Sequence, residues 1–169
     1  MTKPQPPDEW GVFTPVPEAP EYPEKEKYQA HLLEQYKLYV EMADRVSSRR
    51  LTTNSYFLSI NTALLAFVGY ITSKQTSNYL WLVGCAGIVL SVLWFYIVTS
   101  YRDLNTAKFK IIHDIEKRLP LSLYAAEWNA MGRGQVPGLY RPLSHIERVV
   151  PWVFAALHGY VIVWNLVWR

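Results

Sequence analysis

The residues with reactive side chains are few and scattered. Four histidines, His31, His113, His145 and His158, stand far apart along the 169 residues. His113 has Asp114 beside it, but successive residues of a helix point in different directions and do not pair. The one cysteine, Cys85, lies in an apolar run, where a thiol is inert. A single cysteine also excludes a disulfide framework and a cysteine-based zinc site. Gly132-Arg133-Gly134 is too short to cradle a phosphate and follows no strand. This set predicts no enzyme, no cofactor and no metal. The net charge of +3 is too weak for a nucleic-acid-binding face, so no nucleic-acid partner is expected either.

The polar groups that matter lie inside apolar stretches. Ser48, Thr52, Ser55, Ser59, Thr62, Ala66, Gly69 and Ser73 recur at steps of four and three, and all are small. Asn54 and Asn61, seven residues apart, share a face beside this seam. Small residues let helix backbones approach, and Ser, Thr and Asn bond across the contact, which reads the seam as a packing surface. The same residues would line a water-filled passage if several copies brought them to a shared axis. Gly84, Gly87 and Ser91 offer a matching small surface for the seam. Asparagines facing lipid are costly, so Asn54 and Asn61 must face protein or water, which argues for self-assembly. Ala155 and Gly159 form a second small pair. His158 and Asn165 are a heptad apart; a membrane histidine can relay protons or sense pH, but with no intramembrane carboxylate to work with His158 is expected to bond to a neighbour.

These residues need membrane helices to hold them. Leu51 to Ser73, Gln75 to Tyr101 and Val149 to Trp168 contain no Asp, Glu, Lys or Arg. Each is about the 20 residues that a helix needs to cross the hydrocarbon core. Only 18% of the chain is charged, against roughly 25% in soluble domains. The fold class expected is therefore all-α: an integral membrane protein with three transmembrane helices and a cytoplasmic helical stalk. Fifteen of the seventeen Lys and Arg fall in residues 1–50 and 102–148. The excess of basic residues marks the cytoplasmic side, which puts the N-terminus inside and the C-terminus in the periplasm.

Residues 1–23 hold seven of the eleven prolines and read as an extended tail. Its Trp10, Val12, Phe13 and Tyr22 would meet either the body of the protein or a cytoplasmic protein partner. Residues 24–118 read as one long helical hairpin, a stalk plus two spans at about 51–73 and 77–101. No Gly or Pro interrupts Glu24 to Phe67, so stalk and first span should be one helix. Leu32, Tyr36, Tyr39, Ala43 and Val46 form its apolar face, opposed by Leu104, Ala107, Ile111 and Ile115, a side that Phe109 and Ile112 widen. Residues 119–148 give a short amphipathic helix, with Leu121, Tyr124, Trp128 and Met131 on one face, and a flexible link. Ser144 and Glu147 suggest a capping box for the third span, 149–168, in which Pro151 either kinks the helix or begins it.

The run Arg49-Arg50-Leu51-Thr52-Thr53-Asn54-Ser55-Tyr56-Phe57-Leu58-Ser59-Ile60-Asn61-Thr62 follows a basic helix and precedes a helical hairpin. Over residues 25–118 the chain resembles the SLATT-like small bacterial membrane proteins associated with defence. That resemblance implies a bacterial inner-membrane effector that forms pores or perturbs the membrane. The expected function is a self-assembling membrane protein, in contact with lipid and with copies of itself. It either forms a pore or acts as a non-conducting structural or regulatory subunit through its cytoplasmic helices. Thr52, Asn54, Ser55, Ser59, Asn61, Thr62, Ala66 and Gly69 are the candidate site residues.

Overall fold

The computed structural model describes residues 25–74, 79–136 and 143–167. The proline-rich tail and the turn joining the first two spans lie outside the described residues. Four α-helices follow in order: α1, Lys25–Lys74; α2, Leu80–Glu116; α3, Leu123–Ala130; and α4, Leu143–Val167. A 3-10 turn, Gly132–Gly134, follows α3. There is no strand among the described residues. Helices α1, α2 and α4 are each long and apolar enough to cross a membrane. The chain is an all-α membrane protein.

α1 is a single helix of 50 residues. α4 also runs unbroken through Pro151, so its start lies at Leu143 and not at the proline. Proline inside a helix withholds a donor from the carbonyl four residues earlier and crowds that carbonyl with its ring, and α4 continues past Pro151 in spite of both. The expected capping residue Ser144 has its side chain outside the described residues. The Glu147 carboxylate turns instead to Arg50, with Oε2 3.5 Å from Nε.

The chain divides into two compact units, and α1 and α2 contribute to both. One comprises residues 1–46 and 104–141. In it the sheltered side of α1 is Leu32, Tyr36, Tyr39, Ala43 and Val46, with Ala43 buried. On α2 Lys108, Ile112, Ile115 and Glu116 form the buried face, with Asp114 buried to one side of it, whereas Leu104 and Ala107 are exposed. The face is rotated by about one residue from the purely apolar stripe, because two charged residues find partners inside. Lys108 places Nζ 4.5 Å from the centre of the Tyr39 ring, a cation–π contact. Glu116, fully buried, accepts hydrogen bonds at Oε1 from Tyr36 Oη (3.1 Å) and the Tyr124 amide (2.9 Å). Its Oε2 accepts from the Ala125 amide (3.1 Å). The carboxylate thus caps the first turn of α3, whose own Ser122 makes no side-chain cap. Burial, then the bond to Glu116, pushes the Tyr36 hydroxyl up to about 12.

The link after α3 is a defined turn over its first residues. Gly132, Arg133 and Gly134 all have positive φ, and Arg133 Nε donates to Asn129 Oδ1 at 2.7 Å. The flanking glycines carry no Cβ and adopt this left-handed backbone without strain.

The other unit comprises residues 47–103 and 142–169. It holds the charge-free parts of α1, α2 and α4, which pack around Trp94, 2% exposed. The Trp94 ring stacks on Phe57 at 6.0 Å and lies 6.0 Å from Phe154, so one side chain touches all three helices.

Candidate functional site: the polar core and outer seam of the membrane helices

Asn54 and Asn61 lie two turns apart on the inner face of α1. Asn54 Oδ1 accepts a hydrogen bond from Trp94 Nε1 at 2.9 Å. Asn61 is fully buried and is the hub of the unit. Its Nδ2 donates to the Phe57 carbonyl at 2.9 Å, which turns Oδ1 toward the other two helices. There Oδ1 lies 3.1 Å from Ser91 Oγ on α2 and 3.2 Å from His158 Nε2 on α4. Ser91 Oγ also lies 2.8 Å from the Gly87 carbonyl, and its one proton serves either acceptor. An acceptor at Oδ1 requires the proton of a neutral His158 on Nε2. Nδ1 is then a bare lone pair, and it is buried with no hydrogen-bond partner.

Glycines of α2 make room for α4. A Cβ on Gly87 would sit 2.3 Å from the His158 ring, and one on Gly84 would sit 2.6 Å from Ile162 Cγ1. Gly84, Gly87 and Ser91 therefore form the seat of α4. They do not match the small seam of α1, as the sequence suggested. At the far end Asn165 Oδ1 accepts from the Trp81 amide at 3.3 Å, which satisfies one of the orphan donors at the start of α2.

The seam lies on the opposite side of α1 from the asparagines. Thr52, Ser55, Ser59, Thr62, Ala66, Gly69 and Ser73 are all exposed, and nothing lies within 4 Å of where a Gly69 Cβ would be. Positions two apart differ by about 200° around a helix, so Ser59 and Asn61 cannot share a face. The asparagines are satisfied inside the protomer, and their cost in lipid is no argument for self-assembly. The seam hydroxyls bond to their own helix: Thr52 Oγ1 donates to the Ser48 carbonyl at 3.2 Å and Ser59 Oγ to the Ser55 carbonyl at 2.8 Å. Ser73 Oγ donates to the Tyr70 carbonyl at 2.8 Å.

The outward faces of the other two helices are different. On α2 they are Trp81, Leu82, Val89, Leu93 and Tyr96; on α4 they are Trp152, Val153, Leu157, Tyr160, Val163 and Leu166. These are bulky and apolar, with aromatic residues near the ends, as lipid-facing surfaces are. Among the described residues no group of three or more His, Cys, Asp or Glu is arranged to hold a metal.

Three apolar helices, joined through buried side-chain hydrogen bonds, define a small helical membrane protein whose first span exposes a stripe of small residues beside Tyr56, Leu58, Phe67 and Tyr70. The chain belongs to the octameric membrane protein family, 8xMP, whose family model matches residues 33–167. No curated protein and no solved structure matches it.

Proposed function

We propose that the protein assembles as an octamer in the bacterial inner membrane and encloses a passage lined by the outward seam of α1. The observation that carries this reading is the contrast between outward faces. Beside exposed Tyr56, Leu58, Phe67 and Tyr70, α1 bears a long stripe of small and hydroxyl-bearing residues, and α2 and α4 carry no stripe of that length. Lipid favours bulky apolar side chains, and other copies or water favour small and hydroxyl-bearing ones. The number eight comes from the family's name.

Eight helices in a ring cannot close on themselves. With neighbouring axes about 9 Å apart the ring radius is about 12 Å. Subtracting a helix radius of about 5 Å leaves an opening about 7 Å in radius. Serine and threonine hydroxyls facing that space would wet it. The resemblance to SLATT-like effectors supports a passage that perturbs the membrane when triggered. The basic residues supply the orientation, N-terminus in the cytoplasm and C-terminus in the periplasm. No catalytic role is part of this reading.

A second reading has its own support. Because Thr52 and Ser59 donate to their own backbone, the seam also suits a dry contact between copies. The protein would then be a non-conducting structural or regulatory subunit, acting through its cytoplasmic helices on a protein partner. Single cysteines at positions 55, 59 and 62, in a Cys85→Ala background, separate the two. A water-soluble thiol reagent should label all three in the intact oligomer if the passage is wet. Protection at all three, with the oligomer intact by mass photometry, refutes the passage and favours the dry contact.

A further inference from the structure

The unit of residues 1–46 and 104–141 exposes two apolar surfaces, on opposite sides of the α1–α2 pair. One is shared by the two long helices. Leu38 and Met42 of α1 are 60% and 52% exposed, and Leu104 and Ala107 of α2 are exposed beside the half-buried Ile111. The other surface is α3, which buries none of its residues. Its Tyr124 and Ala125 turn inward and are half-buried. Leu123, Ala126 and Ala130, on its far side, are exposed, as is Leu121 just before the helix.

α3 marks one side of the pair. The Tyr124 ring meets Phe109 of α2, with centres 5.7 Å apart. Its amide and the Tyr36 hydroxyl of α1 both donate to Glu116 Oε1. Leu38 is two residues from Tyr36, and Ala107 and Ile111 are each two residues from Phe109. Two residues turn a helix by about 200°, so on both long helices the apolar residues point away from α3.

The two surfaces are also level. The Tyr36–Glu116 and Tyr39–Lys108 contacts run the two helices antiparallel. Counting from Tyr39 and Lys108, Leu38 lies beside Phe109, and Met42 lies near Leu104. Phe109 is also the residue that Tyr124, at the start of α3, packs on.

Both surfaces lie outside the charge-free stretches, among charged residues such as Glu41, Arg45, Asp103 and Lys110, so hydrocarbon does not cover them. Contiguous exposed apolar surface away from lipid marks a contact with protein. The chain belongs to an octameric family, so another copy of itself is the partner at hand. A contact between like surfaces stops at a pair. A contact between two different surfaces runs head to tail, and with no rise between copies it closes into a ring. Different surfaces, on opposite sides and at one level, meet that requirement.

We propose that α3 of one copy, through Leu121 and Leu123, packs against Leu38, Met42, Leu104 and Ala107 of the next copy, and that this contact, repeated, closes the ring. The contact rests on the assembly of copies and not on a passage through it.

Cross-linking of the full-length protein in detergent tests it, in a Cys85→Ala background with a short bismaleimide. Leu38→Cys/Leu123→Cys should give a ladder of joined copies extending beyond two, because within one copy the two positions lie on opposite sides of the pair. Leu38→Cys alone and Leu123→Cys alone should give no joined copies. An oligomer intact by mass photometry but without the ladder overturns the contact, the result expected if residues 1–23 cover the surface instead. A strong band of joined pairs in either single-cysteine variant also overturns it, because like surfaces then meet. Should the double-cysteine variant not assemble, Met42→Glu decides. It should raise the concentration at which the oligomer comes apart about tenfold or more, as the loss of a central contact residue does. An unchanged concentration overturns the contact. A wild type that runs as single copies overturns the assembly itself, whereas an intact oligomer without the ladder overturns this contact alone.

Discussion

His158 Nε2 lies 3.2 Å from Asn61 Oδ1, so residues 97 apart in sequence join the first and last membrane helices through one buried contact. Both side chains are fully buried. The geometry fixes the registers of α1 and α4 against each other, because a shift of one residue in either helix would strand both polar groups among apolar neighbours.

Asn61→Leu should therefore unfold the protomer more readily, whatever its effect on assembly. An interhelical hydrogen bond in a membrane averages only about 0.6 kcal/mol. Removing the hub also leaves the His158 donor without its acceptor, which costs about 1–3 kcal/mol. A lower midpoint of thermal or SDS unfolding is expected. A midpoint equal to wild type would mean that the hub does not hold the helices.

Gly87→Ala should be far more damaging than Gly69→Ala. The first places a methyl 2.3 Å from the His158 ring, and the ring is too rigid and too enclosed to yield. The second meets open space on the seam. Overpacking of this kind costs about 1–3 kcal/mol. Circular dichroism melts of the two variants in one detergent check it, and equal midpoints would contradict the seating of α4 on Gly87.

Tyr36 should give a pH signature. Its hydroxyl is pushed from 10.0 up to about 12, first by burial and then by the bond to Glu116. A raised value means that the fold favours the protonated hydroxyl. The stabilisation is full below pH 10 and is lost as pH rises through about 12. An absorbance titration of tyrosinate should show a late component that is missing in Tyr36→Phe, beside that of Tyr39, which burial also raises. The stability gap between wild type and Tyr36→Phe should close over the same range. Identical titrations would remove the Tyr36–Glu116 bond from the account.

Topology can be read by fusions. With fifteen of seventeen basic residues on one side, alkaline phosphatase joined after Arg169 should be active and after Arg118 inactive. The reverse pattern would invert the proposed orientation.

Much of the architecture was legible in the sequence. Charge-free runs of about 20 residues mark the spans because water solvates charge and hydrocarbon does not. Two periodic patterns in α1, the small seam and the asparagine pair, were also visible, but the reading of them as lying side by side is wrong, because the 200° between Ser59 and Asn61 puts them on opposite sides. In the unit of residues 1–46 and 104–141, the apolar stripe of α2 was legible to within one residue. It missed Lys108 and Glu116, which belong to the buried face only because the Tyr39 ring, the Tyr36 hydroxyl and the α3 amides meet them.

Which side of α1 faces inward was decided by tertiary structure alone. In water, hydrophobicity separates a helix's inner face from its outer face. In lipid both faces meet an apolar environment, so composition loses that power and packing with hydrogen bonding does the sorting. Asn61 turns inward because Ser91 and His158 are there to meet it, and His158 can be there because Gly87 has no side chain. Those matches join residues 30 and 97 positions apart, and they exist only once three helices are placed together.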